Sequence, residues 1–389
     1  MKYALLAAAS ALALAVQPAA AQIKIGFIST FTGPQAAIGN DMRDSANLAL
    51  EHLGGKMGGK DVQIVYEDDT FRPEVGKQKT DKLIQQDRVD IVTGFIWSNV
   101  LLASYKSVLD AGKILISANA GPSQLAGDQC HENFFSASWQ NDQTPMAMGE
   151  AMNRKGIKKL YIMSPNYAAG RDMAEGVKST FKGELVGQDL TKWPDQLDFA
   201  AELSKVRAAR PDALFVFYPG AHGVQILTQY NQSGLKGTVP LYAAYTIDAL
   251  SLPLQKEQAL GVLGTQHWVN DLNNPANQKF VGDFRKKHGG KFPSFYGQQS
   301  YDAVMLIASA VQAVNGNAGD VAGMRAALRK ANFQSTRGAF KFGSNHFPIQ
   351  NFYLQETVKL ADGTLSLKTV DTVFTAHQDL HAGKCPMKW

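Results

Sequence analysis

Cysteine is scarce in this sequence: Cys130 and Cys385 are the only two among 389 residues. Two cysteines are too few for a disulfide-dense mini-protein or a cysteine-rich zinc site. The formal net charge of +5 is too small and too dispersed to favour binding of nucleic acid. After residue 16, no apolar run approaches the about 20 residues that a membrane-spanning helix needs. What is present is a globular composition, with 45% hydrophobic and 19% charged residues.

The motifs of several enzyme classes are also missing. No nucleophile elbow of the Gly-x-Ser-x-Gly type occurs, and no Gly-x-Gly-x-x-Gly follows a predicted strand. Residues 54–61 nearly match a phosphate-binding loop, but they end in Asp61 and lead from a helix into a strand, which is the wrong order. Residues 67–69 (Glu-Asp-Asp) are more typical of a turn than of paired catalytic carboxylates. These motifs therefore give no indication of catalysis, and we predict no metal and no cofactor.

The N-terminus has the pattern of a secretory signal peptide. A short basic start precedes an apolar run at residues 4–16, and small residues lead up to Ala21. We predict cleavage between Ala21 and Gln22. A membrane anchor is the less favoured alternative, because the apolar run is short. Export to an oxidising compartment favours pairing of lone cysteines, so we predict a disulfide between Cys130 and Cys385, with two free thiols as the alternative.

Short β-branched apolar runs alternate with longer amphipathic stretches along the chain. The predicted strands are residues 23–30, 62–69, 90–96, 114–118, 160–164, 185–190, 213–219, 241–245 and 261–269. The predicted helices are residues 41–53, 73–87, 99–111, 143–155, 168–182, 199–208, 223–233, 277–288 and 295–314. This alternation is typical of parallel sheets with helices on both faces. Because one sheet rarely holds so many strands, we predict an α/β fold of two doubly wound lobes, with a hairpin of residues 351–359 and 364–373 at the end.

Four loops follow predicted strands and lead into helices; they are residues 29–34, 94–99, 117–122 and 164–170. In doubly wound sheets, ligands bind beside such loops, at the carboxyl ends of the strands. Helix N-termini carry unpaired N–H groups and a partial positive charge, which suit a carboxylate. Ser98 and Asn119 lie in two of these loops, where each side chain could cap a helix or donate to a ligand, and capping is favoured.

Taken together, these segments resemble a known family. The segments are residues 23–26 (Ile-Lys-Ile-Gly), 31–34 (Phe-Thr-Gly-Pro), 67–69 (Glu-Asp-Asp), 167–170 (Tyr-Ala-Ala-Gly) and 301–303 (Tyr-Asp-Ala). In this order they are similar to the periplasmic leucine/isoleucine/valine-binding proteins, the type I solute-binding proteins of ABC importers. The resemblance implies a periplasmic protein that binds a small molecule between two hinged lobes and delivers it to a membrane permease. We expect a monomer.

The resemblance also implies that the chain crosses between the lobes three times. We place the crossings near residues 136–140, 266–270 and 341–350. The first lobe then consists of residues 22–137 and 270–341. The second lobe consists of residues 138–268 and 348–389.

Site residues of the first lobe follow from the same resemblance, position by position. Ser98 corresponds to the serine that donates to the ligand carboxylate. The next contact loop corresponds to Asn119, Ala120 and Gly121. The family usually has a threonine where Gly121 stands, so one hydroxyl donor is missing, and Asn119 is expected to replace it.

Aromatic residues dominate the predicted wall of the second lobe. Tyr167 corresponds to a tyrosine of the family, and Tyr218 and His222 lie in a loop that forms one side of the cleft. With Trp97 of the first lobe, the tyrosines could supply flat apolar walls for a ring. His222 and Asn119 could bond a hydroxyl or a carboxylate.

Tyr245 is the most informative departure from the family. Members that bind amino acids have a glutamate at or next to this position, which holds the substrate ammonium, whereas the nearest acid here is Asp248. Burying an ammonium without a carboxylate costs on the order of several kcal/mol. We therefore predict an aromatic carboxylate of the benzoate or hydroxycinnamate type, with Tyr245 as a third wall. A branched-chain amino acid or an amide is the alternative ligand, and an exported enzyme or a sensor for a membrane kinase are alternative functions.

Overall fold

The computed structural model describes residues 22–388, so the predicted signal peptide at residues 1–21 lies outside the described residues. The strands are β1 (Ile23–Ser29), β2 (Lys56–Met57), β3 (Lys60–Asp68), β4 (Ile91–Gly94), β5 (Ile114–Ser117), β6 (Phe134–Ser136), β7 (Lys159–Pro165), β8 (Glu184–Thr191), β9 (Ala213–Val216), β10 (Leu241–Ala244), β11 (Leu263–Gln266), β12 (Lys341–Phe342), β13 (Pro348–Lys359) and β14 (Leu365–His377).

The α-helices lie mostly between these strands. They are α1 (Ala36–His52), α2 (Pro73–Gln85), α3 (Ser98–Asp110), α4 (Ser123–Ala126), α5 (Gln143–Arg154), α6 (Ala168–Thr180), α7 (Ala200–Ala209), α8 (Ala221–Gln232), α9 (Leu252–Gln255), α10 (Pro275–Lys287), α11 (Phe295–Ala313) and α12 (Val321–Lys330). Short 3-10 helices lie at Lys256–Ala259 and Ala382–Lys384. Between residues 22 and 388, none of the helices combines the length and the apolar character that crossing a bilayer requires.

The first sheet has the strand order β2-β3-β1-β4-β5-β6. Its pairs are parallel except for the short β2–β3 pair. In the central strand β1, Ile25 pairs with Ile64 of β3 and with Ile91 of β4. Helices cover both faces of a parallel sheet, and Ile25 and Ile91 are accordingly inaccessible to solvent.

The second sheet has the order β12-β13-β11-β10-β9-β7-β8, with β14 paired to β13. Strands β7 to β11 run parallel, and β13 adds an antiparallel edge that forms the predicted C-terminal hairpin with β14. The predicted α/β fold of two lobes is therefore confirmed. The antiparallel hairpin makes the second sheet a mixed one.

The chain passes between the two sheets three times. After β6 it enters α5, which packs on the second sheet; after β11 it returns to α11, which packs on α1 and α12; and after α12 it joins the second sheet through β12. We retain as a proposal the lobe boundaries stated above, residues 22–137 with 270–341 and residues 138–268 with 348–389.

A buried ion pair connects these crossings. The guanidinium of Arg337 lies 3.1 Å from the carboxylate of Asp302 on α11. It also donates to the carbonyl oxygens of Ala137 (2.7 Å) and Ser138 (2.9 Å) and to the side-chain oxygen of Gln350 (2.8 Å). A buried pair is tolerated when further hydrogen bonds satisfy its charged groups. Arg337 thus fixes the first and third crossings to α11.

Cys130 and Cys385 form the predicted disulfide, with Cα atoms 5.7 Å apart. The bridge spans a sequence separation of 255 residues, so it restricts the unfolded chain more than a short loop would. Beside it, His381 donates to the carboxylate of Asp142 at 2.5 Å, and this hydrogen bond raises the pKa of His381. The C-terminal segment is therefore attached both to the loop after α4 and to the start of α5.

Candidate functional site

A narrow cavity lies between the two lobes; the space there that protein atoms do not fill is about 310 Å³ and includes open solvent at the mouth. Its walls are loops at the carboxyl ends of strands, the first crossing and the start of α11. The lining residues are Ile96, Trp97, Ser98, Asn119, Ala120, Trp139, Asn141, Tyr167, Ala169, Met173, Phe217, Pro219, Tyr245, Phe295 and Tyr296. Six of the nine residues predicted from the sequence are in this set; Gly121, Tyr218 and His222 are not.

Two helices begin at the cavity without a side-chain cap. Helix α3 starts at Ser98 after the extended residue Trp97, and α6 starts at Ala168 after the extended residue Tyr167. Neither first turn receives a hydrogen bond from its N-cap side chain. The expectation that Ser98 or Asn119 caps a helix is therefore wrong: Ser98 is itself the first helical residue, and the Asn119 amide nitrogen donates to the Ile96 carbonyl. Uncapped N-termini leave N–H groups for an anionic ligand.

Asn141 of the first crossing determines how the Ser98 hydroxyl bonds. Its amide oxygen accepts from the Gly121 N–H and from the Trp139 indole N–H, both at 3.3 Å. Its amide nitrogen donates to Asp172 at 2.9 Å and to Ser98 Oγ at 3.2 Å. Because Ser98 Oγ is an acceptor in this contact, its own hydrogen is left to donate to a ligand.

Two stacked pairs of aromatic rings contribute to the wall. The Tyr167 ring stacks on Trp193 with centroids 4.7 Å apart, and the Tyr245 ring stacks on Trp139 at 4.4 Å. Phe295 contacts Tyr245 at 4.6 Å. Tyr167 and Tyr245 are thus each stacked on a tryptophan ring, which restricts the orientation of the tyrosine ring.

The hydroxyl of Tyr245 is engaged by the protein. It lies 2.5 Å from Thr144 Oγ1 and 3.3 Å from the His267 ring. Burial holds the pKa of Tyr245 well above its ordinary value and the pKa of His267 well below. Both groups are therefore neutral, and Tyr245 brings no charge to the cavity wall.

The structure corrects the predicted position of Tyr218, which does not line the cavity. Its ring packs on Phe199 at 4.8 Å in the core of the second lobe, and its hydroxyl lies 2.9 Å from Thr191 Oγ1. Phe217 lines the cavity instead. Consecutive residues of an extended segment face opposite sides, so a shift of one position exchanges the core residue and the cavity residue.

Gly121 lies outside the cavity because it packs directly against the first crossing. A Cβ atom at this position would lie 2.1 Å from the carbonyl oxygen of Trp139. The threonine that the family usually has would therefore not fit here, which gives a physical reason for the missing hydroxyl.

His222 also lies outside the cavity, behind Trp193, with ring centroids 4.5 Å apart. Its Nε2 donates to the Pro194 carbonyl at 2.7 Å, so Nδ1 is the acceptor for the side chain of Gln35 in the first lobe. Burial lowers the pKa of His222. The imidazole is therefore neutral and forms a contact between the lobes.

The cavity wall contains no carboxylate among the described residues. Asp248 is buried away from it and accepts from the backbone N–H groups of Leu250 (2.7 Å) and Ser251 (3.0 Å). Burial raises the pKa of Asp248 to about 6. Asp172 lies behind Asn141, where it accepts from the hydroxyl and the N–H of Ser123. Within the described chain, no group of His, Cys, Asp and Glu side chains is arranged to hold a metal ion.

The lobes are in contact around the cavity. Ser123 of the first lobe bonds Asp172 of the second at 2.8 and 3.0 Å, and Phe71 meets Trp193 edge-on at 5.3 Å. The sequence-based site did not include Trp193, which lies two residues after β8 and stacks on Tyr167 without lining the cavity itself. It also missed Trp139, Asn141, Phe295 and Tyr296, because the sequence indicates no strand directly before the first crossing or before the start of α11. Phe217 directly follows β9, but the prediction named its neighbour Tyr218.

Comparison with known proteins agrees with this architecture. The family model of periplasmic binding proteins matches residues 22–364. A solute-binding protein of an ABC transporter from R. palustris, solved in complex with benzoate, is 30% identical with a TM-score of 0.88; the match covers 94% of this chain and 100% of that one. A second from Rhodopseudomonas palustris, in complex with 3,4-dihydroxy benzoic acid, is 26% identical with a TM-score of 0.84, covering 92% and 99%.

A curated relative comes from Brucella melitensis. The Leu/Ile/Val-binding protein homolog 6 of that organism is 28% identical over 385 residues, which cover 96% of this chain and 97% of the relative. The chain therefore belongs to the periplasmic binding protein family, as a solute-binding protein of the Leu/Ile/Val-binding group that serves ABC transporters.

Proposed function

We propose that this protein captures a small aromatic carboxylate in the cavity between its lobes and delivers it to the permease of an ABC importer. The observation that carries the proposal is the composition of the cavity wall: stacked rings on several sides and no carboxylate among the described lining residues. The benzoate and dihydroxybenzoate complexes of the two similar structures support the same class of ligand.

The carboxylate of the ligand would be held by neutral donors. The Ser98 hydroxyl has its hydrogen available, and the N-termini of α3 and α6 both begin at the cavity. Helix N-termini stabilise anions through unpaired N–H groups and the helix dipole. Trp97, Ser98, Asn119, Ala120, Tyr167 and Tyr245 are our proposed ligand-binding residues.

The ring of the ligand would lie among Tyr167, Tyr245 and Phe295. Burying about 150 Å² of ring surface is worth roughly 4 kcal/mol, at about 25 cal/mol per Å². Binding in the micromolar range or tighter is therefore within reach once the carboxylate contacts are added.

A branched-chain amino acid is the competing ligand, and the name of the Brucella relative is the observation that favours it. An amino acid would bring an ammonium group into the cavity, where Asp248 is already bonded to the backbone of its own turn. An unpaired buried ammonium costs on the order of several kcal/mol. The aromatic acid therefore fits this wall better.

Native mass spectrometry of freshly purified protein, followed by a thermal-shift comparison of benzoate, 4-hydroxybenzoate and leucine, tests the proposal. We expect the acids to raise the melting temperature and leucine to leave it unchanged. Stabilisation by leucine alone would replace our ligand class with the competing one. Conversion of a bound acid into a product would contradict a transport function.

We further propose that the protein acts in the periplasm as a monomer after removal of residues 1–21. Intact mass of the exported protein tests the cleavage between Ala21 and Gln22, and sedimentation tests the monomer. A retained N-terminal segment or a stable dimer would contradict the respective part.

A further inference from the structure

Asn119 presents a hydrogen-bond acceptor at the cavity that no protein group satisfies. The residue is one of those that line the cavity, and it is 6% exposed to solvent. The amide nitrogen donates to the Ile96 carbonyl at 2.6 Å, whereas the amide oxygen Oδ1 is buried without a partner. A buried acceptor without a partner costs free energy that a donor from a ligand would recover.

The orientation of this amide follows from its neighbours. Rotating the group by half a turn would place Oδ1, instead of the nitrogen, 2.6 Å from the carbonyl oxygen of Ile96. Two acceptors at that distance repel each other, so the oxygen is the atom left unpartnered. Other polar groups on the wall differ: both amide atoms of Asn141 and the hydroxyl of Tyr245 are engaged by protein partners.

We propose that Asn119 Oδ1 accepts a hydrogen bond from a hydroxyl group on the ring of the bound acid, so that the protein selects hydroxylated aromatic acids over unsubstituted ones. The inference rests on the proposed function and adds a second polar anchor to it. A carboxylate has no hydrogen to donate at neutral pH, so it pairs with Ser98 and is repelled by Asn119 Oδ1. A phenolic hydroxyl, which ionises only near pH 10, keeps its hydrogen and can donate.

Titration calorimetry of the wild-type protein with benzoate and with 2-, 3- and 4-hydroxybenzoate tests the inference. We expect at least one hydroxybenzoate to bind about tenfold or more tightly than benzoate, the gain typical of partnering a buried polar group. If benzoate binds as tightly as all three isomers or more tightly, the role of Asn119 is overturned while the proposed function stands. If none of the four acids binds, the proposed function itself fails.

Asn119→Leu tests the residue directly, because leucine has a similar size and no acceptor. We expect the ratio of the benzoate Kd to the hydroxybenzoate Kd to fall to about one in this variant. Asn99→Leu is the matched control: Asn99 is in the first turn of α3, its amide oxygen is also buried without a partner, and it does not line the cavity. The Asn99→Leu variant should prefer the hydroxylated acid over benzoate by the same factor as the wild-type protein.

A preference that survives in Asn119→Leu would overturn the inference, as would its loss in Asn99→Leu. Melting temperatures show whether each variant folds. If Asn119→Leu does not fold, the wild-type comparison of the four acids decides by itself.

Discussion

The rings of Tyr167 and Trp193 stack with centroids 4.7 Å apart and planes within 10° of parallel. The same indole contacts Phe71 at 5.3 Å and Trp97 at 5.7 Å in the first lobe. Trp193 therefore connects the cavity wall of the second lobe to the aromatic residues of the first. The contacts between the lobes at Trp193 therefore also support the ring of Tyr167.

Replacing Tyr167 by alanine removes the ring that faces the cavity and exposes Trp193. We expect Tyr167→Ala to weaken binding of the aromatic acid at least tenfold, because ring burial and stacking are both lost. Tyr167→Phe keeps the ring and should stay within about threefold of the wild type. Titration calorimetry measures both, and an unchanged affinity in Tyr167→Ala would remove this residue from the site.

Gly121 should not tolerate a side chain, since its Cβ would lie 2.1 Å from the backbone oxygen of Trp139. Gly121→Ala is expected to lower the free energy of unfolding by about 2 kcal/mol or more, the usual cost of overpacking. Gly282→Ala is the control, because no atom lies within 4 Å of the added Cβ in α10 and the backbone is helical. Urea unfolding should show this control to be neutral or slightly stabilising; equal effects of the two substitutions would contradict the packing argument.

Removal of the Arg337 side chain should be among the most damaging substitutions in the hinge. Arg337→Leu leaves the carboxylate of Asp302 buried without its charge partner, and we expect a loss of about 3–5 kcal/mol in the free energy of unfolding. Lys359→Leu breaks the exposed pair with Glu257 and serves as the comparison, with little effect expected. Similar losses in the two variants would show that Arg337 is not a buried structural charge.

Asp41 should make stability depend on pH. Its carboxylate accepts from the Ser294 hydroxyl at 2.5 Å, but burial outweighs this bond and raises the pKa from 3.8 to about 7. Between pH 3.8 and about pH 7, Asp41 is protonated in the folded protein, whereas it has lost its proton in the unfolded chain. The free energy of unfolding therefore falls as the pH rises, by up to about 1.4 kcal/mol per pH unit.

Asp41→Asn cannot ionise, so its stability relative to the wild type should rise between about pH 4 and about pH 7 and level off above. Urea unfolding of both proteins across this range provides the measurement. A difference that does not change with pH would mean that Asp41 titrates normally in the folded protein.

Much of the fold was predictable from the sequence, because strands buried on both faces appear as short β-branched runs. The runs at residues 23–30 and 114–118 became β1 and β5. Strand β6 was missed because its three residues are too few to show a pattern, and α12 was missed because it follows a loop with no strand before it.

The site was predictable only where it lies on loops after strands. Ser98 and Tyr167 were found in this way. Whether Tyr218 or Phe217 faces the cavity depends on a shift of one residue along the extended segment. The amino-acid composition does not determine this shift. Asn141 and Phe295 reach the cavity through the hinge and through a helix more than 150 residues further along the chain, so only the tertiary structure brings them together.

A crystal structure of the wild-type protein with a bound hydroxybenzoate tests the central claim most directly. The account predicts the carboxylate within hydrogen-bond distance of Ser98 Oγ and the ring between Tyr167 and Tyr245. An acid bound outside the cavity, or a co-purified amino acid with its ammonium held by Asp248, would contradict it.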